Sequence, residues 1–276
     1  ADPLLADVGR RMMANTHLQR WFFLRFVDDD GFHIRLRAPP APAARQEALA
    51  RLEHDCTDML EHIYDYVPGT YEPMVRLPDY LAAPAPTPTG RVRFTTDQYA
   101  PEYEKFGQGG GMAVAEGLFH LSSVLASRVL AAEAAGQFSR KSIAPWLMHA
   151  VYTAFPSVPR AEFWQQYSLY WLGGESPAAQ DWRDRFWRKA AAMQAGGIAL
   201  LDREALGATG REIQAAWEVG LAEASEAYAG LPAHERGRTD VLCLNFAHLM
   251  LNRLGIATLE EAYLATLLEA FEQVPA

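Results

Sequence analysis

An α+β fold is predicted, with a small mixed or antiparallel sheet in the first part of the chain packed on a predominantly helical second part. Two patterns carry this. Before residue 111, short runs alternate branched or aromatic residues with polar ones, and beyond it apolar residues recur at helical spacing almost without interruption. A third observation fits: half of the 276 residues are hydrophobic, enough to bury a large core without disulfide or metal staples. A single domain over 1–276 is expected, with a sheet-containing part at 1–110 and a helical part at 111–276.

The first strand is expected in WFFLRFV, residues 21–27. A second follows in HIRLR, residues 33–37, where Ile34 and Leu36 alternate with His33, Arg35 and Arg37. Between them Asp28-Asp29-Asp30-Gly31 has the composition of a tight hairpin turn. Past a proline-rich APPAPA, Leu49, Leu52, Cys56, Leu60 and Ile63 fall at helical spacing within about 43–64, and Val67-Pro68-Gly69-Thr70 ends that helix. Residues 82–90, AAPAPTPTG, are a loop by composition, and RVRFTT after it alternates as a further strand. Helices are then expected over 112–135, 139–155, 160–172, 177–195, 209–229, 238–254 and 258–274. Gly173-Gly174, Gly196-Gly197 and Gly255 stand where a left-handed residue closes a helix.

Composition removes several function classes. Acidic residues outnumber basic ones 34 to 25, a formal charge of -9, which argues against a nucleic-acid partner because tracking phosphates needs a basic surplus. Cys56 and Cys243 lie far apart inside apolar helical patterns, so no CxxC or structural zinc site is expected. His54, Cys56 and His62, with Glu61 nearby, lack a fourth ligand at useful spacing, and neither a metal nor an organic cofactor is expected. No run of about 18 apolar residues occurs and the start lacks the apolar block of a signal peptide, so a soluble, cytoplasmic protein without a membrane partner is expected. GxSxG and HExxH are absent, and Ser122 and Ser123 are weak nucleophile candidates.

Three segments can carry chemistry. Residues two apart on a strand share a face, so Arg35 and Arg37 point together with His33, and Arg91 and Arg93 repeat the arrangement. Arg25 shares parity with Trp21 and Phe23. Three such strands with arginines on one face would make a cationic patch able to hold a carboxylate by forked hydrogen bonds, or simply the wet face of a sheet. In QYAPEYEKFGQGGG, Tyr99, Glu102, Tyr103, Glu104 and Lys105 crowd a turn before a glycine-rich helix start. Such a start offers unpaired N–H groups to an anion, or is an ordinary connection without the Lys-Ser/Thr of a phosphate loop. In NFAHLMLNRLG, His248 and Asn252 lie four apart on one helical face with Asn245 and Arg253 beside them. That is the setting of a positioned proton carrier, or of a buried histidine with its hydrogen bonds satisfied.

Three blocks in order, WFFLRFVDDDGFHIRLR, YAPEYEKFG and HLMLNRLG, resemble the C-terminal lyase domain of lantibiotic dehydratases, whose patterns run WFF-R to HLRLR, then YxPExxRYGG, then HMxxNR. The resemblance spans about residues 19–261. It implies an enzyme of ribosomal peptide natural-product biosynthesis whose partner is a precursor peptide, leader and dehydrated core together. Arg35 and Arg37 match the arginines of HLRLR, Glu102 the glutamate of ExxR, and His248 the histidine of HMxxNR, all implicated by the family in elimination of glutamate. Two departures stand out: Lys105 replaces the family's arginine, and Ser122-Ser123 replaces an Asp-Ser pair. An ammonium is a point charge where a guanidinium offers two parallel donors, so glutamate elimination is put in doubt.

The family includes thiopeptide pyridine synthases, which join two dehydroalanines in a formal aza-[4+2] cycloaddition and expel water and the leader peptide. What the resemblance implies for this chain is therefore a pyridine synthase. His248 with Tyr99 or Tyr103 would handle protons, Lys105 and Arg37 would stabilise charge, Glu102 would sit in the catalytic group, and Arg25, Arg35, Arg93, Asn252, Arg253 and Trp21 would contact the peptide. The alternatives are a glutamate-eliminating lyase that makes dehydroalanine, and a non-catalytic subunit that grips the leader. The oligomeric state stays open, a homodimer included.

Overall fold

The computed structural model describes residues 2–16, 18–28, 31–39, 45–62, 72–75, 95, 97–156 and 159–272. Helix α1 (Asp2–Ala14) precedes strands β1 (Phe22–Asp28) and β2 (Gly31–Arg37). Then come α2 (Arg45–Glu61), the single turn α3 (Tyr103–Phe106), α4 (Gly110–Ala134), α5 (Arg140–Ala154), α6 (Arg160–Trp171), α7 (Pro177–Ala195), α8 (Gly207–Gly230), α9 (Thr239–Leu254) and α10 (Thr258–Glu272). The α+β expectation holds, with a two-stranded antiparallel sheet packed on a helical bundle. All seven helices expected beyond residue 111 are present with ends within about two residues. The expected strand at RVRFTT with Arg91 and Arg93, the loop at 82–90 and the turn at Val67–Thr70 lie outside the described residues.

The bundle is organised around α4, which packs against α1, α8, α9 and β1. This helix has the length and mean hydropathy of a membrane span, but 56% of that window is buried inside the protein, as suits a core helix touched on several sides. On the other side of the bundle α10 is sandwiched against α6 and α7. Its acids are buried with partners: Glu269 takes a 2.8 Å bond from Arg183, and Glu260 accepts from the N–H groups of Met74 and Ala257.

The hairpin is docked by an unusual edge. Phe22 and Phe23 are buried while Phe26 and Val27 at the far end are exposed, so only the first half of β1 enters the core. Backbone groups of Trp21, Phe23 and Arg25 point toward the helices and are met there by side chains. His120 Nδ1 stands 3.2 Å from the Trp21 nitrogen and 2.9 Å from its carbonyl oxygen, Ser123 Oγ accepts from the Phe23 N–H at 3.2 Å, and Asn252 bonds both the N–H and C=O of Arg25 at 3.0 and 2.9 Å. Three side chains from α4 and α9 thus take the place of a neighbouring strand.

The register corrects one expectation. Phe22 pairs with Arg37, Leu24 with Arg35 and Phe26 with His33, while Arg25 pairs with Ile34. Residues directly opposite in an antiparallel pair share a face, so Arg25 lies on the face opposite to Arg35 and Arg37. Parity along one strand says nothing about the next until the turn fixes the register. Arg25 faces inward with Ile34 and Leu36, bonding Asp2 at 2.7 Å and the Arg253 carbonyl at 3.1 Å. Its guanidinium also explains Gly255: that residue caps α9 at φ 76°, and a Cβ there would come within 2.8 Å of Arg25 Cζ.

The glycine-rich segment has a packing role. A Cβ on Gly107 or Gly111 would lie 2.0 or 2.2 Å from the Glu235 carbonyl oxygen, so the turn around Glu235 presses directly on this backbone. The Glu235 carboxylate accepts from the Gly110 N–H at 2.7 Å. The helix start read as an anion site is therefore filled by a carboxylate of the chain itself, and Tyr228 donates to the Phe106 and Gly111 carbonyls beneath it.

Candidate active site

On the outer face of the hairpin, Arg35 lies flat on Phe26, 3.5 Å from the ring centroid, and donates to His33 Nε2 at 3.0 Å. Arg37 is half-buried over Tyr99 and Phe22, at 5.1 and 6.0 Å, and its Nη1 is buried with no hydrogen-bond partner among the described residues. Burial pushes the Arg37 guanidinium below its ordinary range. Tyr99 meets Phe22 edge-on at 5.8 Å, and its phenol is pushed up by burial and by the charge and hydrogen bond of Glu116. The short turn α3 follows, where Lys105 donates to Glu102 at 2.5 Å and Tyr103 is exposed. Arg37 packs over Tyr99 and Lys105 pairs with Glu102, whose charge Arg37 also feels, so Arg37, Tyr99, Glu102 and Lys105 form one polar group beside the hairpin.

Helix α9 supplies the rest. Arg253 is fully buried, donates to Ser123 Oγ at 2.9 Å and to the Leu249 carbonyl at 2.8 Å, and leaves Nη2 without a hydrogen-bond partner among the described residues. Burial, with the positive charge of Arg37 adding to it, pushes this guanidinium down to about 9. His248, five residues earlier and so about 140° around the helix, points toward α6 and α10. Its Nδ1 lies 2.9 and 3.2 Å from the two carboxylate oxygens of Glu261, its ring sits 4.3 Å from that of Trp171, and its side chain keeps 23% exposure.

Glu261 has no exposure at all. Burial pushes its carboxyl up, opposed by hydrogen bonds from His248 and from the Tyr167 hydroxyl, which donates at 2.6 Å. Burial likewise holds the Tyr167 phenol far above its ordinary range.

The expected residues therefore fall into three sets. Arg37, Tyr99, Glu102 and Lys105 come together, with Arg35 partly exposed over Phe26 and Tyr103 exposed beside them. Trp21, Arg25, Asn252 and Arg253 form the frame that docks the hairpin, and Trp21 is only 2% exposed. His248 stands in its own cluster, and among the described residues no hydrogen bond, ion pair or ring contact joins it to Arg35 or Arg37. Arg93 lies outside the described residues. Ser122 and Ser123 are buried and donate their hydroxyls to carbonyls of α4, which removes them as nucleophiles. Cys56 and Cys243 are buried free thiols, and among the described residues no three His, Cys, Asp or Glu side chains gather as a metal site.

Glu261, Tyr167 and Trp171 were not singled out from sequence. A signal existed for the first: TLEEAYLATLLEAF is apolar on nearly every side, and an acid in such a helix is buried and needs a partner. Two open depressions of about 350 and 410 Å³, at the α6–α7 junction and between α1 and α4, include none of these residues.

Residues 1–271 match the family described as lantibiotic biosynthesis dehydratase C-term. No curated protein matches the chain. Among solved structures, the tRNA-dependent lantibiotic dehydratase MibB from Microbispora sp. 107891 is 21% identical with a TM-score of 0.61, over 98% of this chain and 26% of that one. The chain thus spans about a quarter of that dehydratase's length. The pyridine synthase TbtD from thiomuracin biosynthesis is 20% identical, also with a TM-score of 0.61, over 97% of this chain and 92% of that one. At these identities the likeness is one of fold. With a family match over almost the whole sequence, this chain belongs to the lantibiotic dehydratase C-terminal family.

Proposed function

We propose that the chain is a pyridine synthase of the thiopeptide type, acting on a ribosomal precursor peptide that carries two dehydroalanines. One dehydroalanine, with its neighbouring amide in the imidic form, is a 2-azadiene that adds across the C=C of the other to make two new C–C bonds, the ring nitrogen being the amide nitrogen already in place. Loss of water and then of the leader peptide as an amide leaves an aromatic pyridine within a macrocycle. The observation that carries this reading is His248: partly exposed, packed against Trp171 and anchored to a buried carboxylate, it is a proton carrier of the kind two successive eliminations need.

The polar group beside the hairpin, which no contact among the described residues joins to His248, has the charge that the addition step needs. Arg37 and Lys105 offer positive charge for an imidate oxygen that develops negative charge, Tyr99 and Tyr103 present phenols beside them, and Arg35, held by Phe26, His33 and Asp28, keeps a partly exposed guanidinium for an extended peptide. Holding two alkenes in contact turns a poor encounter into an intramolecular one, worth roughly 7–11 kcal/mol when orientation is good.

The second reading, a glutamate-eliminating lyase, would use the same histidine. It is disfavoured at Lys105, which is exposed and tied to Glu102 and offers no fork to a carboxylate. Mass spectrometry decides: a dehydroalanine-containing precursor and a glutamylated one are offered separately. Release of leader amide with a macrocycle is expected; loss of glutamate instead would establish the lyase, and tight binding with no mass change a leader-gripping subunit.

A further inference from the structure

We propose that Glu261 is a positioning residue that holds His248 with its ring proton on Nδ1, leaving Nε2 as the atom that takes up and returns protons. What those protons are used for rests on the functional reading above; the tautomer does not.

Four observations lead there. Glu261 is completely enclosed, so no water competes for its oxygens, and both lie within 3.2 Å of His248 Nδ1. The Tyr167 hydroxyl donates to Oε2 at 2.6 Å, and with its phenol held protonated it acts there as a donor, which makes the carboxylate an acceptor on that side. Glu261 lies in the first turn of α10, its own N–H bonded to the Ala257 carbonyl, where the helix dipole favours negative charge. Trp171 covers one face of the imidazole. A carboxylate so placed accepts the Nδ1 proton, and the bond one ring nitrogen makes decides the state of the other. Ring plane and tautomer are fixed together, and Nε2, across the ring from Nδ1, is the nitrogen left for a substrate.

In use, the Nε2 lone pair accepts a proton from the ring carbon being deprotonated. The C–H electron pair becomes the new double bond as the leaving group departs, and the imidazolium, stabilised by Glu261, returns its proton to that group. No co-reactant is consumed, and the Nδ1 proton stays on the ring.

The test needs no substrate. With ¹⁵N-labelled histidine and the His248 signal assigned by its loss in His248→Gln, two-bond ¹H–¹⁵N correlations of the neutral imidazole report which nitrogen is protonated. The Nδ1–H form is expected in the wild-type chain. Glu261→Gln should turn it to Nε2–H, because Tyr167 keeps the amide oxygen and the NH₂ then faces Nδ1. Should that variant fail to fold, Glu261→Asp, which withdraws the carboxylate by one methylene, is expected to mix the two forms. An Nε2–H form in the wild-type chain, or a tautomer indifferent to either variant, overturns the proposal. On a substrate that the wild-type chain turns over, Glu261→Gln should lower kcat roughly 100-fold with KM nearly unchanged. Wild-type inactivity on both precursors would remove the functional reading, while the spectra would still decide the tautomer.

Discussion

The two sides of α9 handle charge in opposite ways. Toward α4 and the hairpin, Arg253 is fully buried beside hydroxyl and carbonyl oxygens, and Asn252 is consumed by the backbone of β1. Toward α6 and α10, His248 meets a buried carboxylate and keeps an exposed edge. One side is spent on contacts to the scaffold, with only Arg253 Nη2 lacking a partner among the described residues, and the other keeps an edge open to solvent. A short run such as HLMLNRL is thus two devices on one helix, and proximity in sequence does not make its polar residues a single site.

That contrast can be broken by substitution. His248→Gln keeps a donor for Glu261 but removes the exchangeable ring nitrogen; turnover should fall roughly 10³-fold, about 4 kcal/mol of barrier, with little change in melting temperature. A large loss of stability with binding and turnover falling in parallel would place His248 with the scaffold. Asn252→Ala should do the reverse. It leaves the N–H and C=O of Arg25 without partners and should cost about 3 kcal/mol in denaturant unfolding, with residual enzyme working at a near-normal rate.

Asp2 sharpens the scaffold side through pH. Burial alone would raise its carboxyl, but Arg140 and Arg25 outweigh that and hold it below the ordinary 3.8. A depressed folded value means the stabilisation is present above the unfolded value and is lost as pH falls through the folded one. Asp2→Asn should therefore cost about 2 kcal/mol at neutral pH. The gap to wild type should close in acid unfolding below the ordinary carboxylate range; a gap that stays constant down to that range would mean the carboxylate charge is not what matters. The smallest stability effect belongs to Lys105→Ala, within about 0.5 kcal/mol because the pair with Glu102 is exposed, while turnover falls by a larger factor than peptide affinity.

The helical half was legible because its breaks are glycines and its apolar spacing is long-range and regular; the left-handed cap at Gly255 stands where the sequence puts it. The face of Arg25 was not, since it depends on a register set by the turn between two strands. GQGGG has the composition of a ligand loop, yet its glycines yield to the close approach of a turn more than a hundred residues later. Most of the His248 setting was hidden for the same reason: Glu261 and Tyr167 reach it from two other helices, and only packing brings the three together. His248 itself was found through its motif.

The docking of the hairpin limits what can pair with β1. A peptide that tried to lengthen the sheet beside β1 would have to displace His120, Ser123 and Asn252 together, exchanging side-chain bonds from two helices for its own backbone. That flank is closed to strand addition, and on the outer face of the pleat the guanidiniums of Arg35 and Arg37 lie over aromatic rings of the same ribbon and its neighbour Tyr99.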